Sequence, residues 1–334
     1  MKYIKHTLFL MLLAMLLVLA ACGSDSDDST NDTSEGSTGD ATTETTETSE
    51  SGGVLKVALQ AQPSIIDPHV TTETVTSTSM KPVFEALVVT NADGQPVPYL
   101  AESIEVTDDN KTYTFHLRQG IKFHNGKEMT AEDVVASMNR WKANATGAKV
   151  VIGDDEFKVV DDYTVELTLS TPSALVPTLI ATERLPAIMP KEIIEEAGED
   201  PVSEIIGTGP FKFAEWKQDQ YLHLTKNEDY VPFDEPTDGL AGKREALVDD
   251  IYLYFVTDPS TRMAGLQTGE YHIDASVVNQ NYLRIKDDPN INTYIEPSGN
   301  TTIYFNKKEG IFSDVKMRHA FNTVLNVEEI MQAA

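Results

Sequence analysis

Between Tyr113 and Phe123 the apolar residues fall on alternate positions. Tyr113, Phe115 and Leu117 alternate with Thr114, His116 and Arg118, and Ile121 and Phe123 resume the phase beyond Gly120. A period of two fits a strand with one buried and one wet face, so this chain must build a sheet and something to cover it. The cover follows in sequence. Thr130 and Asp133 have capping-box spacing, and Val134, Val135, Met138 and Trp141 then recur at helical spacing.

The same mixture runs through the rest of the chain. Val54–Leu59 is a strand by composition, stopped by Pro63. Asp67-Pro68 marks a turn before a Thr-rich helical or irregular stretch, Val83 to Val88 closes that unit, and Asn91 to Gly94 is a turn signal. Around His124-Asn125-Gly126-Lys127 a hairpin-like turn is expected. Tyr163, Val165, Leu167 and Leu169 alternate, and Thr171-Pro172 ends that strand. The loop at Ile206 to Pro210 feeds a third β region with Phe211, Phe213, Leu222 and Leu224. The nearly continuous apolar run from Leu247 to Val256 predicts a strand buried on both faces. Asp258 caps a helix with Pro259 at its first position, and Gly269 ends it. Strand-like segments are expected at Ile273 and at Tyr294-Ile295. Val315, Met317, Ala320, Phe321, Val324 and Leu325 outline a helix starting near Ser313, and Asn326 with Glu329 would cap another. So few residues follow that the sequence reads as incomplete. The order is mixed α/β, with no internal repeat.

The N-terminal residues address the compartment. Lys2 and Lys5 precede an apolar run from Leu8 to Ala21. At about 14 residues it is shorter than the ~20 a bilayer span needs, and with small residues at its end it reads as a secretory signal. Leu19-Ala20-Ala21-Cys22 has the form of a lipobox, which makes Cys22 the expected lipidation site. Cys22 is also the single cysteine in the chain, so intrachain disulfides are excluded. From Gly23 to Gly52 the chain is almost wholly Ser, Thr, Asp, Glu, Gly and Asn, with Ala41 its one apolar side chain. It cannot bury enough apolar surface to offset its ordering entropy and is expected to be an extended acidic tether.

The formal net charge of -27 repels nucleic acid, and no basic stripe with interleaved aromatics appears. Enzyme signatures are missing too. The seven histidines (His6, His69, His116, His124, His223, His272 and His319) include no pair at metalloprotease spacing. The one cysteine is at the membrane, which leaves no thiolate zinc site. There is no Gly-x-Ser-x-Gly elbow, and Gly207-Thr208-Gly209-Pro210 lacks the partners of a phosphate loop. No catalytic residue, metal ligand or cofactor is expected.

Several segments together resemble the extracellular solute-binding proteins of family 5, the oligopeptide, dipeptide and nickel-binding lipoproteins of ABC importers. They include Tyr99 to Ser103, Asp108 to Arg118, Ile121 to Lys127, Thr130 to Val134 and Asp161 to Val165. Further matches are Gly207 to Phe211, Asn227 to Tyr230, Leu266 to Glu270, Tyr304 to Asn306 and Ile311 to Arg318. The resemblance runs from about Gly53 to Ala334 and corresponds to the N-terminal part of such a protein.

The resemblance implies an α/β fold of the type II periplasmic-binding-protein-like class, with two lobes, an inserted domain and a second lobe that is truncated here. Residues 1–21 would be the signal peptide and 22–52 the anchor and tether. The first lobe would combine 53–89 with 207–297, the inserted domain would be 90–206, and the second lobe would start at 298–334. The implied function is capture of extracellular peptides by hinge closure, with delivery to the permease subunits of an ABC importer. The implied location is the extracellular face of the cell membrane, or the periplasm in a Gram-negative host, and a monomer is expected. A nickel chelate or glutathione as ligand, or a peptide-sensing role without transport, remains an alternative. Within this frame the loop Gln60, Ala61, Gln62, Pro63 and Ser64 is where the first lobe is expected to meet ligand, beyond the carboxyl end of the first strand. Gly299, Asn300, Thr301 and Thr302 would lie at the crossing to the second lobe, where Gly299 suits a hinge or a close approach to ligand.

Overall fold

The computed structural model describes residues 52–182, 185–295 and 302–333. Strand β1 (Val54–Leu59) leads to helix α1 (Thr74–Met80). A short hairpin of β2 (Val88–Thr90) and β3 (Pro96–Pro98) precedes β4 (Ala101–Val106) and β5 (Thr112–Leu117). Helices α2 (Ala131–Asn144) and α3 (Thr146–Val151) are followed by β6 (Phe157–Asp161), β7 (Thr164–Thr168), α4 (Val176–Thr182) and α5 (Lys191–Ala197). Next come β8 (Phe211–Lys217), β9 (Tyr221–Lys226), β10 (Asp250–Phe255), α6 (Pro259–Thr268), β11 (Ile273–Asp274) and α7 (Asn279–Ile285). A 3-10 turn at Ile311–Ser313 introduces α8 (Val315–Val324) and α9 (Val327–Ala333). The expected signal peptide, Cys22 and the Ser/Thr-rich stretch to residue 51 lie outside the described residues.

The alternating segment is β5, the second strand of a four-stranded antiparallel sheet ordered β4-β5-β7-β6. Its apolar face places Tyr113, Phe115 and Leu117 beside Val165 and Leu167 of β7, all buried. Helix α2 covers them with Val134, Met138 and Trp141, each fully buried. Burying side chains of this size contributes roughly 1.5–3 kcal/mol apiece, so this face dominates the local stability. The capping box forms as expected. The Thr130 backbone N–H donates to Asp133 Oδ2 at 3.0 Å, and the other Asp133 oxygen takes Lys127 Nζ at 2.6 Å and the Lys191 N–H at 2.8 Å.

The second sheet is mixed and has five strands, ordered β11-β1-β10-β9-β8. β1 lies parallel to both β10 and β11, while β10, β9 and β8 run antiparallel. Val54 thus pairs with Asp250, so the four-stranded sheet belongs to a long excursion between two adjacent strands. The buried face carries Val57, Leu59, Leu222, Leu224, Ile251 and Leu253. Against it pack Met80, Val83 and Phe84, and also Leu185 to Val202. That last segment precedes β8 in sequence but joins the core of the five-stranded sheet.

The run from Leu247 to Val256 is not buried on both faces. Ile251 and Leu253 are buried, Tyr252 and Tyr254 are half-buried, and Leu247 is exposed. With β1 on one side and β9 on the other, successive side chains of β10 must point to opposite faces. The tyrosines form an aromatic layer with Tyr221 and His223, whose ring stacks on Tyr252 at 4.1 Å. A tyrosine keeps its hydroxyl wet while its ring packs, so an apolar count alone misreads this run. Tyr294-Ile295 is likewise no strand but exposed chain without regular structure.

Helix α6 starts as predicted, with Asp258 Oδ1 accepting the Thr261 N–H at 2.7 Å, and ends at Gly269 in the left-handed region. Helix α8 follows Asp314, whose side chain accepts the Lys316 N–H at 2.8 Å. Asn326 Oδ1 accepts the Glu329 N–H at 3.2 Å at the start of α9.

Candidate ligand-binding face

Three sets of buried contacts pin loops of the fold, and the third of them reaches a cavity. In the loop after β1, Asp67 is met by Arg140 of α2, Nη2 to Oδ2 at 2.8 Å and Nη1 to Oδ1 at 3.2 Å. The same carboxylate accepts the backbone N–H groups of His69 and Val202 at 2.9 and 3.0 Å. Burial alone would raise its pKa, but Arg140, His69 and the Val202 N–H outweigh that and hold it below the ordinary carboxylate range.

The loop Gly207-Thr208-Gly209 supplies the second contact. A Cβ on Gly207 would stand 2.1 Å from the Val83 carbonyl oxygen, and one on Gly209 would stand 2.5 Å from that of Pro82. Glycine is required here by contact between two backbones, not by an anion. His124, expected to be a turn residue, also grips this loop: its N–H donates to the Gly207 carbonyl at 2.9 Å, and Nε2 lies 3.0 Å from the Gly209 carbonyl oxygen. Burial lowers its pKa to about 4.

Glu85 is the third. It is 2% exposed, and Oε1 accepts the Tyr230 hydroxyl at 2.9 Å and the Tyr99 hydroxyl at 3.2 Å. Oε2 accepts the Thr208 hydroxyl at 2.8 Å. Arg244 approaches from the loop before β10, with Nη1 at 3.7 Å from Oε1 and its guanidinium 4.3 Å over the Tyr99 ring. Its Nη2 donates to the Leu240 carbonyl at 2.8 Å. That loop is fixed in turn, the Leu240 N–H donating to the Thr90 carbonyl at 2.9 Å and the Ala92 N–H to Asp238 at 3.0 Å.

Glu85 and Arg244 line a half-open cavity of about 490 Å³, within the range of small-molecule sites. Thr74, Ser77 and Thr78 of α1 form one wall with Lys81 at its edge, and Ile180 to Thr182 and Leu185-Pro186 form another. The lining combines an apolar floor with hydroxyl groups and two cations, which suits a small polar ligand held by side-chain and water-mediated hydrogen bonds.

The predicted loop Gln60 to Ser64 lies outside this lining. Gln60 and Ser64 are exposed, Ala61 and Gln62 are half-buried, and Pro63 is buried. The Ser64 N–H donates to Glu73 Oε2 at 2.8 Å, and Gln62 Oε1 accepts the Asp219 N–H. The loop braces Glu73 immediately before α1, and α1 reaches the cavity. Thr302 is exposed, whereas Gly299, Asn300 and Thr301 lie outside the described residues. The wall residues carried one signal in the sequence, the hydroxyl-rich stretch Thr71 to Ser79, in which Thr74, Ser77 and Thr78 share a helix face. Arg244 carried none, because its place depends on where a distant loop is pinned.

Comparison with known proteins bears on what such a cavity serves. Residues 95–334 match the model of the bacterial extracellular solute-binding proteins, family 5 Middle. A probable peptide ABC transporter periplasmic-binding protein of Sinorhizobium fredii is 32% identical over 281 residues, covering 81% of this chain and 52% of its own length. The periplasmic binding protein AgaA from A. tumefaciens R10, solved with agropinic acid, superposes with a TM-score of 0.60 at 32% identity, over 71% of this chain and 46% of that one. DppA from Helicobacter pylori, solved with the peptide STSA, gives a TM-score of 0.61 at 26% identity over 72% of this chain and 50% of that one. The chain spans about half the length of the curated relatives it matches.

Proposed function

This chain belongs to the bacterial extracellular solute-binding proteins of family 5, and from that premise we propose that it is the receptor of an ABC importer and captures short peptides. The observation that carries the reading is the half-open cavity between α1 and the Arg244 loop, in a fold shared with peptide-binding relatives. The proposed first lobe is 53–89 with 207–297, and the proposed inserted domain is 90–206. Its Leu185 to Val202 stretch would act as the seam, since it packs on the five-stranded sheet. From residue 298 the second lobe would begin, and ligand bridging the lobes would shift the population toward a closed form.

Lipidation at Cys22, a monomeric state, attachment to the outer face of the membrane and delivery to a permease belong to the same proposal. Among the described residues no helix is long and apolar enough to cross a membrane. Binding to the folded state stabilises it by about 2.7 kcal/mol at a hundredfold excess of ligand over Kd. The full-length protein without residues 1–22 is therefore expected to melt at higher temperature in the presence of a mixed tripeptide library. No shift with any tripeptide contradicts the peptide assignment.

A further inference from the structure

We propose that Arg244 selects ligands that carry a carboxylate, with Lys81 as a second cation at the edge of the same cavity. The inference deepens the reading of this cavity as a peptide site and rests on it.

The chain as a whole is strongly acidic, with 53 Asp and Glu against 26 Lys and Arg. The described lining of this cavity reverses that balance: it contains Arg244, Lys81 and a single carboxylate, Glu85. Glu85 is a poor counter-ion for Arg244. Its two oxygens already accept three hydroxyl hydrogen bonds, at 2.8, 2.9 and 3.2 Å, and Arg244 Nη1 stands off at 3.7 Å, beyond hydrogen-bond length. Burial also pushes the Glu85 carboxyl up from its ordinary pKa, against the pull of Arg244 and the hydroxyls, so its negative charge is disfavoured at this position.

Arg244 is held ready for another partner. Its stacking on Tyr99 and its bond to the Leu240 carbonyl fix the plane of the guanidinium, and its side chain is still 21% exposed. A guanidinium fixed in one plane presents paired donors that match the two oxygens of a carboxylate. Lys81 forms no ion pair among the described residues and brings a second positive charge to the rim. Thr74, Ser77 and Thr78 can complete the shell with hydroxyl donors.

Tripeptides with uncharged side chains, offered as free acids and as C-terminal amides, test this, because the terminal carboxylate is then the one negative group. Calorimetric titration of the wild-type protein is expected to show the acids binding at least tenfold more tightly than the amides. In Arg244→Gln that preference should collapse to less than threefold, with the amides binding as before, and Lys81→Gln should reduce it partway. Equal binding of acid and amide by the wild type overturns the carboxylate proposal and leaves the peptide reading standing. A preference that survives in Arg244→Gln overturns the role of this residue. Binding of neither form overturns the peptide reading itself, and this inference with it.

Discussion

Arg140 of α2 reaches Asp67 in the loop after β1, with two nitrogens on two oxygens at 2.8 and 3.2 Å, and both side chains are almost fully buried. The contact ties the helix that covers the four-stranded sheet to the loop leaving the five-stranded one. Asp67 also holds Val202, and the remaining Arg140 donors reach the Asp200 and Gly198 carbonyls. Three segments distant in sequence are thereby fixed beside the entrance to α1.

Removing one partner leaves an uncompensated buried charge, which costs about 3–5 kcal/mol. Asp67→Ala is expected to lose stability on that scale in urea denaturation at pH 7. A loss below about 1 kcal/mol would mean that the pair is not buried in solution.

Acid sensitivity follows from His69 and His124, both lowered by burial to about 4. In the unfolded chain a histidine binds its proton near pH 6.5. Between pH 6.5 and about 4 the unfolded state therefore holds the extra proton, and folding stability falls as pH falls across that window. For fully buried His69 the full loss is roughly 3 kcal/mol. Below this, near pH 3.8 and under, Asp67 adds a second loss as its depressed carboxyl is protonated. Urea midpoints measured from pH 7 to pH 4 should decline, and His69→Asn should flatten the decline.

Gly207→Ala forces a methyl group against the Val83 carbonyl. Overpacking against rigid backbone costs about 1–3 kcal/mol or more, so the melting temperature should fall. A variant as stable as wild type would show that the two backbones are farther apart than described.

Glu85 can be probed by shape. Glu85→Gln keeps an acceptor for some of its hydroxyl donors, whereas Glu85→Ala removes the shared acceptor of Tyr99, Tyr230 and Thr208, leaving Thr208 without this bond and the two tyrosine hydroxyls only each other, at 3.4 Å. Each buried unsatisfied group costs about 1–3 kcal/mol. In guanidinium denaturation the alanine variant should therefore lose at least twice the stability lost by glutamine.

Local signals carried much of this fold. The alternation at Tyr113 to Leu117, the capping box at Thr130 and Asp133, and the Asp258-Pro259 start of α6 each depend on neighbours within a few positions. Each is found where the sequence places it. Long-range placement was not legible. Nothing local tells Tyr252 that it will face outward, or Gly207 that it will meet Val83. Of the cavity, the sequence showed the hydroxyl-rich helix but directed attention to Gln60 to Ser64. That loop follows a strand and lies outside this lining; its Ser64 N–H holds Glu73, the residue before α1. Arg244 depends on a loop pinned to Thr90 and Ala92, a relationship that exists only in the folded chain.

Calorimetric titration of free-acid tripeptides with uncharged side chains into wild-type protein and into Ser77→Trp, a variant that fills the cavity from α1, tests the assignment most directly. The account predicts saturable binding to the wild type and a loss of at least a hundredfold in the variant, with its melting temperature unchanged. Equal affinity in the two proteins would place the ligand elsewhere and contradict the account.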